Sequence, residues 1–392
     1  MQQVLQRLAA EYGYTPLPEV ANGEVIALQR DQASITLEPA AQLELSGAPL
    51  ATIHETAQEF ETHAAELKAV SEPLGIRWLS LGFHPLARQE DLPHVPKLRY
   101  AVMKQYLPTR GARALDMMRR TCTVQANLDY ASLDDAMRKL RIALALQPVT
   151  TAMFANSPFI EGQPSAYLSE RAHVWLHMDP DRSGLLPFAW QEAAKLSDYI
   201  DWALQVPMFG IKRAGKLIPN TKQTFATFMR DGLGGITATT TDWETHLNTL
   251  FPEVRLKKTL EVRGADAQPG SQLCALPALW KGLLYDPQAL AEAEQLISNL
   301  DYSSVQAARL PIAQHGLRAS LAGRPVQRWG EEVLDLATAG LQRQAAAAGG
   351  DESVYLAPIR ALVSSGLTPA DLLRKQLGAS PSISGLLELT GI

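Results

Sequence analysis

The chain has 392 residues, of which 46% are hydrophobic and 20% are charged, with 26 glycines and 25 prolines. This composition is typical of a folded globular protein and excludes a mainly disordered or fibrous chain. The net charge of -5 excludes a global positive field of the kind that holds nucleic acid by its phosphates.

Neither the N-terminus nor the most apolar stretch of the chain predicts a targeting or membrane segment. Residues 1–8 lack the basic start and long apolar core of a signal peptide, and their pattern predicts an amphipathic helix. The most apolar stretch, residues 140–159, contains Arg141 and Pro148, which excludes a membrane span. We therefore expect a cytoplasmic protein with neither a membrane nor a nucleic acid as partner.

Helix signals recur along the chain. The sequence predicts helices over 55–70, from Ser132 to Pro148, over 286–299 and from Thr368 to Gly378. Asp286 and Thr368 are suitable N-cap residues, and each is followed by a proline, which fits the first position of a helix. We expect Pro148 to end the second helix because proline cannot donate the backbone hydrogen bond that a helix interior requires.

Three predicted strands carry an unusually polar face. Polar and apolar residues alternate over 42–46, 121–129 and 254–263, so that each segment presents one apolar and one polar side. Two interpretations are open. An antiparallel sheet with one face in water is the commoner arrangement, and a polar cavity lined by these faces is the other.

Cysteine and histidine spacing does not predict a metal site. Cys122 and Cys274 are too few for a disulfide framework or a cysteine-built zinc site, and buried free thiols are expected. His173 and His177 lack an acid between them, which favours ordinary structural histidines. No P-loop motif occurs, so a nucleotide would have to be held by metals and cationic side chains.

The domain organisation is inferred from the lack of repeats and linkers in the sequence. The sequence contains no internal repeat and no low-complexity linker, and the best candidate boundary, 265–278, continues into a segment that looks packed. We therefore expect one domain over 1–392, with a mostly helical C-terminal third.

Several ordered motifs resemble one family of ligases. Residues 120–129, 145–159 and 242–255 closely resemble segments of the plant and proteobacterial type of glutamate–cysteine ligase. The match continues at 34–39, 44–49, 263–266 and 274–277. The resemblance covers essentially the whole chain.

The resemblance implies a fold and a reaction. Its members share the catalytic fold of glutamine synthetase, an α+β fold in which an antiparallel sheet is bent into a funnel with helices packed outside. They join the γ-carboxylate of glutamate to the amine of cysteine with ATP and Mg²⁺, through a γ-glutamyl phosphate, as the first step of glutathione biosynthesis. The expected partners are these small molecules, and the expected state is a monomer or weak homodimer. In such a funnel the polar strand faces line the active site.

The resemblance also implies metal ligands and a catalytic arginine. Glu38, Glu44, Glu261 and Gln125 are the expected ligands, because Mg²⁺ prefers hard oxygen donors. Arg263, on the same face as Glu261, is expected to stabilise the charge of the transferring phosphoryl group. The alternative for Arg263 is a structural ion pair with Glu261.

Four further residues are expected to bind substrate. Arg99 and Arg171 match positions where the family places arginines in the glutamate pocket, and a planar guanidinium suits a carboxylate. Trp175 is expected to wall that pocket, and Asn127 shares the polar face of its strand with Gln125. Without the resemblance, surface salt bridges would be the preferred interpretation of the two arginines.

The sequence departs from the family in several places. The plant enzymes have a tryptophan and paired arginines around the segment matching 268–272, and paired glycines at Ala40-Ala41. Their redox disulfide uses the cysteine matching Cys274, but its partner position is Ala57 here, so that thiol switch cannot form. The chain also starts after the family's Gly-Thr-Glu-His-Glu-Lys strand, whose two carboxylates bind metal.

These departures keep alternatives open. The chain could be a ligase truncated at its N-terminus by a wrong start site, or a weakened homologue. It could join glutamate to an amine other than cysteine. It could also be a non-catalytic protein that binds glutamate or a nucleotide.

Overall fold

A computed structural model describes residues 1–17 and 25–392 of the chain. Its strands are β1 (Thr15–Pro16), β2 (Ala27–Arg30), β3 (Ala33–Leu37), β4 (Leu43–Ser46), β5 (Thr123–Leu128), β6 (Phe159–Ile160), β7 (Gln163–Pro164), β8 (Ser183–Gly184), β9 (Gly210–Arg213), β10 (Lys216–Pro219), β11 (Phe251–Pro252), β12 (Val254–Leu256), β13 (Leu260–Asp266), β14 (Ser320–Leu321) and β15 (Arg324–Pro325).

The α-helices lie mostly in the second half of the chain. They are α1 (Gln2–Tyr12), α2 (Ile53–Ser71), α3 (Leu98–Tyr106), α4 (Ala114–Arg120), α5 (Leu133–Met153), α6 (Glu170–Leu176), α7 (Leu196–Gln205), α8 (Phe225–Asp231), α9 (Thr240–Leu247), α10 (Gly270–Leu273), α11 (Ala275–Tyr285), α12 (Pro287–Leu296), α13 (Tyr302–His315), α14 (Val326–Ala348), α15 (Ala357–Ser364), α16 (Pro369–Leu377) and α17 (Ile383–Thr390).

Two antiparallel sheets form the framework of the site. One has four strands in chain order from β1 to β4, and the other has the order β12-β13-β5. The remaining described strands pair two by two, and only β8 with β11 is parallel. The α+β class with antiparallel strands and a helical C-terminal third is confirmed, although the strands expected in one funnel are hydrogen-bonded as separate sheets.

One face of the three-stranded sheet belongs to the main hydrophobic core. Its apolar side chains pack with those of α5 and α11, and α14 packs against α11. The buried members include Val124, Ala126, Leu128, Val254, Leu256, Leu260 and Val262. Because side chains alternate along a strand, the polar residues of the same strands lie on the opposite face. Helix packing on one side thus leaves the other side free to form a site.

The four-stranded sheet sits beside this polar face. The Gln42 side chain, just before β4, donates from Nε2 to the carbonyl oxygen of Met118 at 3.2 Å, and Met118 lies on the helix that leads into β5. The sheet has a core of its own, to which α1 contributes the buried Val4, Leu5 and Leu8. The predicted N-terminal helix is therefore confirmed, and it supports the sheet that carries β4.

Helix starts were predicted better than helix ends. Ser132, Asp286 and Thr368 each accept a backbone hydrogen bond as N-cap residues. The expectation that Pro148 ends its helix is wrong, since α5 continues to Met153. The second half of α5 is almost wholly buried in the core, and this packing offsets the hydrogen bond that proline cannot make.

The prediction of one strand over 254–263 is also wrong. The segment is a hairpin of β12 and β13, in which Val254 pairs with Val262 and Arg255 pairs with Glu261. Paired residues of an antiparallel hairpin share a face. The alternation of polar and apolar residues therefore continues from β12 through the turn into β13, and in the sequence the two strands look like one.

A β-bulge interrupts β13 next to the polar face. Val262 pairs with Ala126 and Ala265 pairs with Val124, so β13 carries one extra residue between these pairs. The bulge returns Ala265 to the core side, where it is 1% exposed. A Cβ at Gly264, within the bulge, would lie 2.2 Å from Nε2 of Gln147 in α5. Close packing thus requires glycine at this position.

Gly264→Ala is expected to lower the free energy of unfolding by about 1–3 kcal/mol, because the added Cβ would overlap the buried Gln147 side chain and force it to shift. Urea unfolding measures the change. Gly270→Ala is the matched control, since a Cβ at Gly270 meets nothing within 4 Å. Equal stability of the two variants would show that the bulge tolerates a side chain.

The two cysteines and the membrane prediction have clear outcomes. Both cysteines are free; Cys274 is buried as expected, whereas Cys122 is only half-buried because it precedes β5 rather than lying within it. Within residues 1–17 and 25–392, no helix is long and apolar enough to cross a membrane.

Candidate active site

The polar face of the three-stranded sheet carries a row of paired side chains. Glu261, the second residue of the central strand β13, lies opposite Asn127 of β5 on one side and Arg255 of β12 on the other. Gln125 and Arg263 belong to the same face, one step further along the sheet. The alternation in the sequence therefore predicted correctly which side chains share this surface.

Glu261 is held by two arginines. Its Oε2 accepts hydrogen bonds from Arg255 Nε at 2.6 Å and from Arg263 Nη1 at 3.0 Å. Burial alone would raise the pKa of Glu261, but the two guanidinium groups lower it to about 2. Glu261 is therefore ionised, and the ion pair considered as the alternative for Arg263 is formed. Both bonds end on Oε2, which leaves Oε1 without a hydrogen bond to any described residue.

Arg263 lies in the middle of the polar face. Besides Glu261, its Nη1 reaches Oε1 of Gln125 at 3.4 Å. Its guanidinium carbon lies 6.0 Å from the centre of the Phe251 ring. These contacts fix a planar donor group with 11% of its side chain exposed. An ion pair with Glu261 and a catalytic role are thus compatible, because the pair orients the group without covering it.

Two carboxylates from the four-stranded sheet form the second part of the site. Glu44 on β4 is open to solvent, yet its surroundings raise the pKa of its carboxyl through burial first and the Glu38 charge second, against the opposing charge of Arg263. Glu38 accepts a hydrogen bond from Tyr100 Oη at 3.0 Å and has Lys97 Nζ at 3.7 Å. Glu44 thus lies in an open recess beside a second acid.

This pair fits a divalent cation in part. Two nearby carboxylates repel each other, and a hard cation such as Mg²⁺ would relieve that repulsion. Among the described residues, however, no group of three or more His, Cys, Asp or Glu side chains is arranged to hold a metal ion. Of the four expected ligands, Glu38 and Glu44 are close neighbours, while Glu261 and Gln125 are bound to arginine.

A buried arginine borders the same surface from α6. Arg171 is 4% exposed, and its Nη2 donates to the carbonyl oxygen of Arg263 at 2.7 Å. Its guanidinium carbon lies 5.9 Å from the ring of Trp175, one helical turn further along. Trp175 in turn contacts Phe251 edge-on, with ring centres 6.2 Å apart. The structure therefore brings Arg171 and Trp175 beside Arg263, and a surface salt bridge of Arg171 is excluded.

Arg99 and Asn127 lie at other edges of the site. Arg99 on α3 lies 5.3 Å from the Tyr100 ring, whose hydroxyl group bonds Glu38. Arg99 thus borders the carboxylate pair, whereas Arg171 borders Arg263. Asn127 is exposed and accepts a hydrogen bond from Thr259 at the hairpin turn.

Three residues of the site were not selected from the sequence. Arg255 lies on the predicted polar face, and the alternation alone could have identified it. Lys97 and Tyr100 both contact Glu38, but they lie at the start of α3. Their direction depends on how that helix packs, and no periodicity over four residues could show it.

The comparisons with known proteins decide the family. A family model described as glutamate-cysteine ligase family 2 matches residues 8–385. The chain belongs to this family. Among curated members, glutamate–cysteine ligase B, chloroplastic, of rice is 44% identical over 376 residues, covering 95% of this chain and 75% of the relative. The chloroplastic enzymes of Medicago truncatula and Arabidopsis thaliana are each 43% identical over 374 residues, covering 95% of this chain and 72% and 70% of the relatives.

The resemblance read from the motifs is thereby confirmed. One solved structure, the Pup ligase PafA of the prokaryotic ubiquitin-like modification pathway in complex with ADP, aligns over 99% of this chain and 71% of its own. Its TM-score of 0.39 and identity of 11% are too low to carry an argument. Family membership rests on the sequence.

Proposed function

We propose that the chain joins the γ-carboxylate of glutamate to the amine of cysteine at the expense of ATP, giving γ-glutamylcysteine, the first product of glutathione biosynthesis. The observation that carries this proposal is the carboxylate pair of the four-stranded sheet, in which Glu44 pairs with Thr36, the Thr36 hydroxyl bonds Glu38, and the Arg263 charge acts on Glu44. A reaction between ATP and a carboxylate needs both kinds of group, because cations must neutralise phosphate oxygens and carboxylates must hold the metal.

Magnesium is assigned to the carboxylate pair. Glu38 and Glu44 would hold the ion, with Gln125 and the free Oε1 of Glu261 as the next available oxygens. When bound, Mg²⁺ supplies charge neutralisation for the nucleotide phosphates. The mutual repulsion of the two carboxylates fits this role, since a bound cation would relieve it.

Arg263 is assigned to the transferring phosphoryl group. In the first step a carboxylate oxygen of glutamate attacks the γ-phosphorus of ATP, the bond to the ADP oxygen breaks, and a γ-glutamyl phosphate forms. A guanidinium group already fixed by Glu261 needs little reorganisation to stabilise the negative charge that develops there. In the second step the cysteine amine attacks the acyl carbon, the bond from that carbon to the phosphate oxygen breaks, and the departing inorganic phosphate takes up the proton that the amine loses.

Glutamate binding is assigned to Arg171, which borders Arg263, and to Arg99, which borders the carboxylate pair. Arg171 offers a buried guanidinium next to the Trp175 ring, and Arg99 and Asn127 lie towards the open edges. The phosphorylated carboxylate is already a good acylating group, so no further general base is required. Holding the reactants in place provides most of the rate.

A ligase for another amine is the second candidate. The segment 268–272, which differs from the plant enzymes, begins with Gln268, a fully buried side chain that donates to the carbonyl oxygen of Phe154 at 2.8 Å. The last three residues of this segment already belong to α10. The altered residues of this segment are the reason for considering an acceptor other than cysteine.

One assay separates these functions. Purified protein is given ATP, Mg²⁺ and glutamate, and ADP release and product mass are measured with cysteine and with other amino acids as acceptors. Cysteine-dependent ADP release with formation of γ-glutamylcysteine is expected, and release without glutamate serves as the blank. Preference for another amine would replace the proposal by the second candidate. A folded protein that binds glutamate but turns over no amine would overturn both and leave a binding protein.

Three expectations from the sequence stay predictions. They are a single domain over 1–392, a monomeric or weakly dimeric state and a cytoplasmic location. The curated relatives are named as chloroplastic.

A further inference from the structure

Asp266, the last residue of β13, is a buried acid that the proposed reaction does not use. It is 1% exposed. Its Oδ2 accepts hydrogen bonds from the Asn156 backbone N–H at 2.8 Å and from Ser157 Oγ at 2.6 Å, and its Oδ1 accepts one from Ser169 Oγ at 2.8 Å. Three donors around one carboxyl group fit the ionised form, which only accepts.

Both serines also form hydrogen bonds with the first turn of α6. Ser157 Oγ accepts the backbone N–H of Arg171 at 3.2 Å, and Ser169 Oγ accepts that of Ala172 at 3.0 Å as the N-cap of the helix. Each hydroxyl has a single proton, and in both serines this proton is donated in the hydrogen bond to Asp266. The carboxylate thereby directs the hydroxyl lone pairs towards the helix, which fixes where α6 begins.

The same strand also holds the other end of Arg171. The guanidinium group donates to the carbonyl oxygen of Arg263, three residues before Asp266. Burial raises the pKa of Asp266, and the Arg171 charge is the first of the influences that oppose this rise. The backbone and the side chain of Arg171 are thus both set by β13.

Two glycines make room for this arrangement. The bulge at Gly264 shifts the alternation of β13, so that Asp266 pairs with Thr123 and lies on the polar side, although a regular strand would turn it towards the core. A Cβ at Gly82 would lie 2.3 Å from Cγ of Asp266. The backbone of residue 82 therefore closes over the carboxylate.

We propose that Asp266 is a positioning residue for glutamate binding: through Ser157 and Ser169 it holds the start of α6, and so presents Arg171 to the substrate carboxylate without touching the substrate. This inference rests on the proposed role of Arg171 in holding glutamate. Three segments that are far apart in the sequence, 156–157, 169–171 and 266, have one common function in this scheme.

Asp266→Asn in the full chain tests the inference. The amide keeps the size of the side chain but replaces one acceptor oxygen by a donor, so one serine proton loses its acceptor and that hydroxyl is no longer oriented towards its helix N–H. We expect the KM for glutamate to rise by about 10- to 100-fold, the effect of a misplaced binding group, while the KM for ATP stays unchanged. Asp286→Asn is the matched control, because Asp286 also caps a helix and binds an arginine, but on the outer helices α12 and α14. Its KM for glutamate should equal that of the wild type.

A double variant separates positioning from a general structural role. If Asp266 acts through Arg171, adding Asp266→Asn to Arg171→Lys should raise the KM for glutamate little beyond Arg171→Lys alone. Effects that multiply, or a parallel rise in the KM for ATP, would overturn the inference. Should Asp266→Asn fail to fold, Ser157→Ala and Ser169→Ala provide the same test, each with a smaller rise in the KM for glutamate.

Measuring glutamate binding by the wild type separates a failure of this inference from a failure of the proposed function. Calorimetric binding of glutamate can replace KM if no turnover is found, so the test does not require the ligase reaction. Wild-type glutamate affinity in Asp266→Asn would overturn the inference alone. A wild-type protein that binds no glutamate would overturn the proposed function and this inference with it.

Discussion

Replacing Arg263 by alanine is expected to lower kcat for ADP release by about 100- to 1,000-fold, the usual cost of removing one fixed donor to a charged transition state. The guanidinium group lies at the centre of the polar face, 3.0 Å from Glu261 Oε2. Glu261 keeps its second partner, Arg255, at 2.6 Å, so the variant leaves no buried charge unpaired. Folding should therefore be retained, which the thermal midpoint verifies.

Two further variants show whether the effect of Arg263→Ala on kcat is specific to the guanidinium group at this position. Arg263→Lys keeps the charge but not the planar fork, and should recover only part of kcat. Arg230→Ala is the control, because Arg230 is an exposed arginine paired with its neighbour Asp231. Turnover of Arg263→Ala at the level of Arg230→Ala would reduce Arg263 to the structural partner of Glu261.

Glu44→Gln is expected to raise the Mg²⁺ concentration needed for half-maximal turnover and to lower kcat by about 100-fold, since a bound cation supplies several kcal/mol of charge stabilisation. Glu44 is the exposed member of the carboxylate pair, with the Glu38 charge acting on it and Arg263 as the strongest opposing charge. The amide preserves the shape of the side chain and removes its charge. Rates of ADP release over a series of Mg²⁺ concentrations measure the effect.

A second readout for Glu44 does not depend on activity. Ligands that bind the native state raise the thermal midpoint, so Mg²⁺ should stabilise the wild type more than Glu44→Gln. Glu332→Gln, which changes an exposed glutamate of α14, is the control and should respond as the wild type does. An unchanged Mg²⁺ response in Glu44→Gln would remove this residue from the metal site.

Local features of the fold were predictable because their causes are local. Asp286 and Thr368 were identified as helix caps and Ser132 as the start of a helix, since a cap depends on one side chain and the amides that follow it. The polar and apolar faces of the strands were also predictable, since alternation requires only a period of two. These two signals located most of the framework around the site.

Features that depend on packing were not predictable from the sequence. The helix through Pro148 persists because its surroundings are buried, and the sequence pattern contains no measure of that burial. The extra residue at Gly264 does not disturb the alternation up to Arg263, so the bulge gives no signal before the partner strand is known. The approach of β4 to β5, which joins Glu44 to Arg263, results from contacts between segments about 80 residues apart, and no pattern within either strand encodes it.

The surface immediately around Glu261 is positively charged, although the whole molecule is negative. The chain carries a net charge of -5, yet Arg255 and Arg263 bond to Glu261 and the Lys257 charge also acts on it, so three cations surround one carboxylate. A focused positive potential of this kind draws a polyanionic nucleotide into its site faster than diffusion alone, and salt weakens the attraction. The association rate of ATP should therefore fall with ionic strength, although the net charge of the protein would predict the opposite trend.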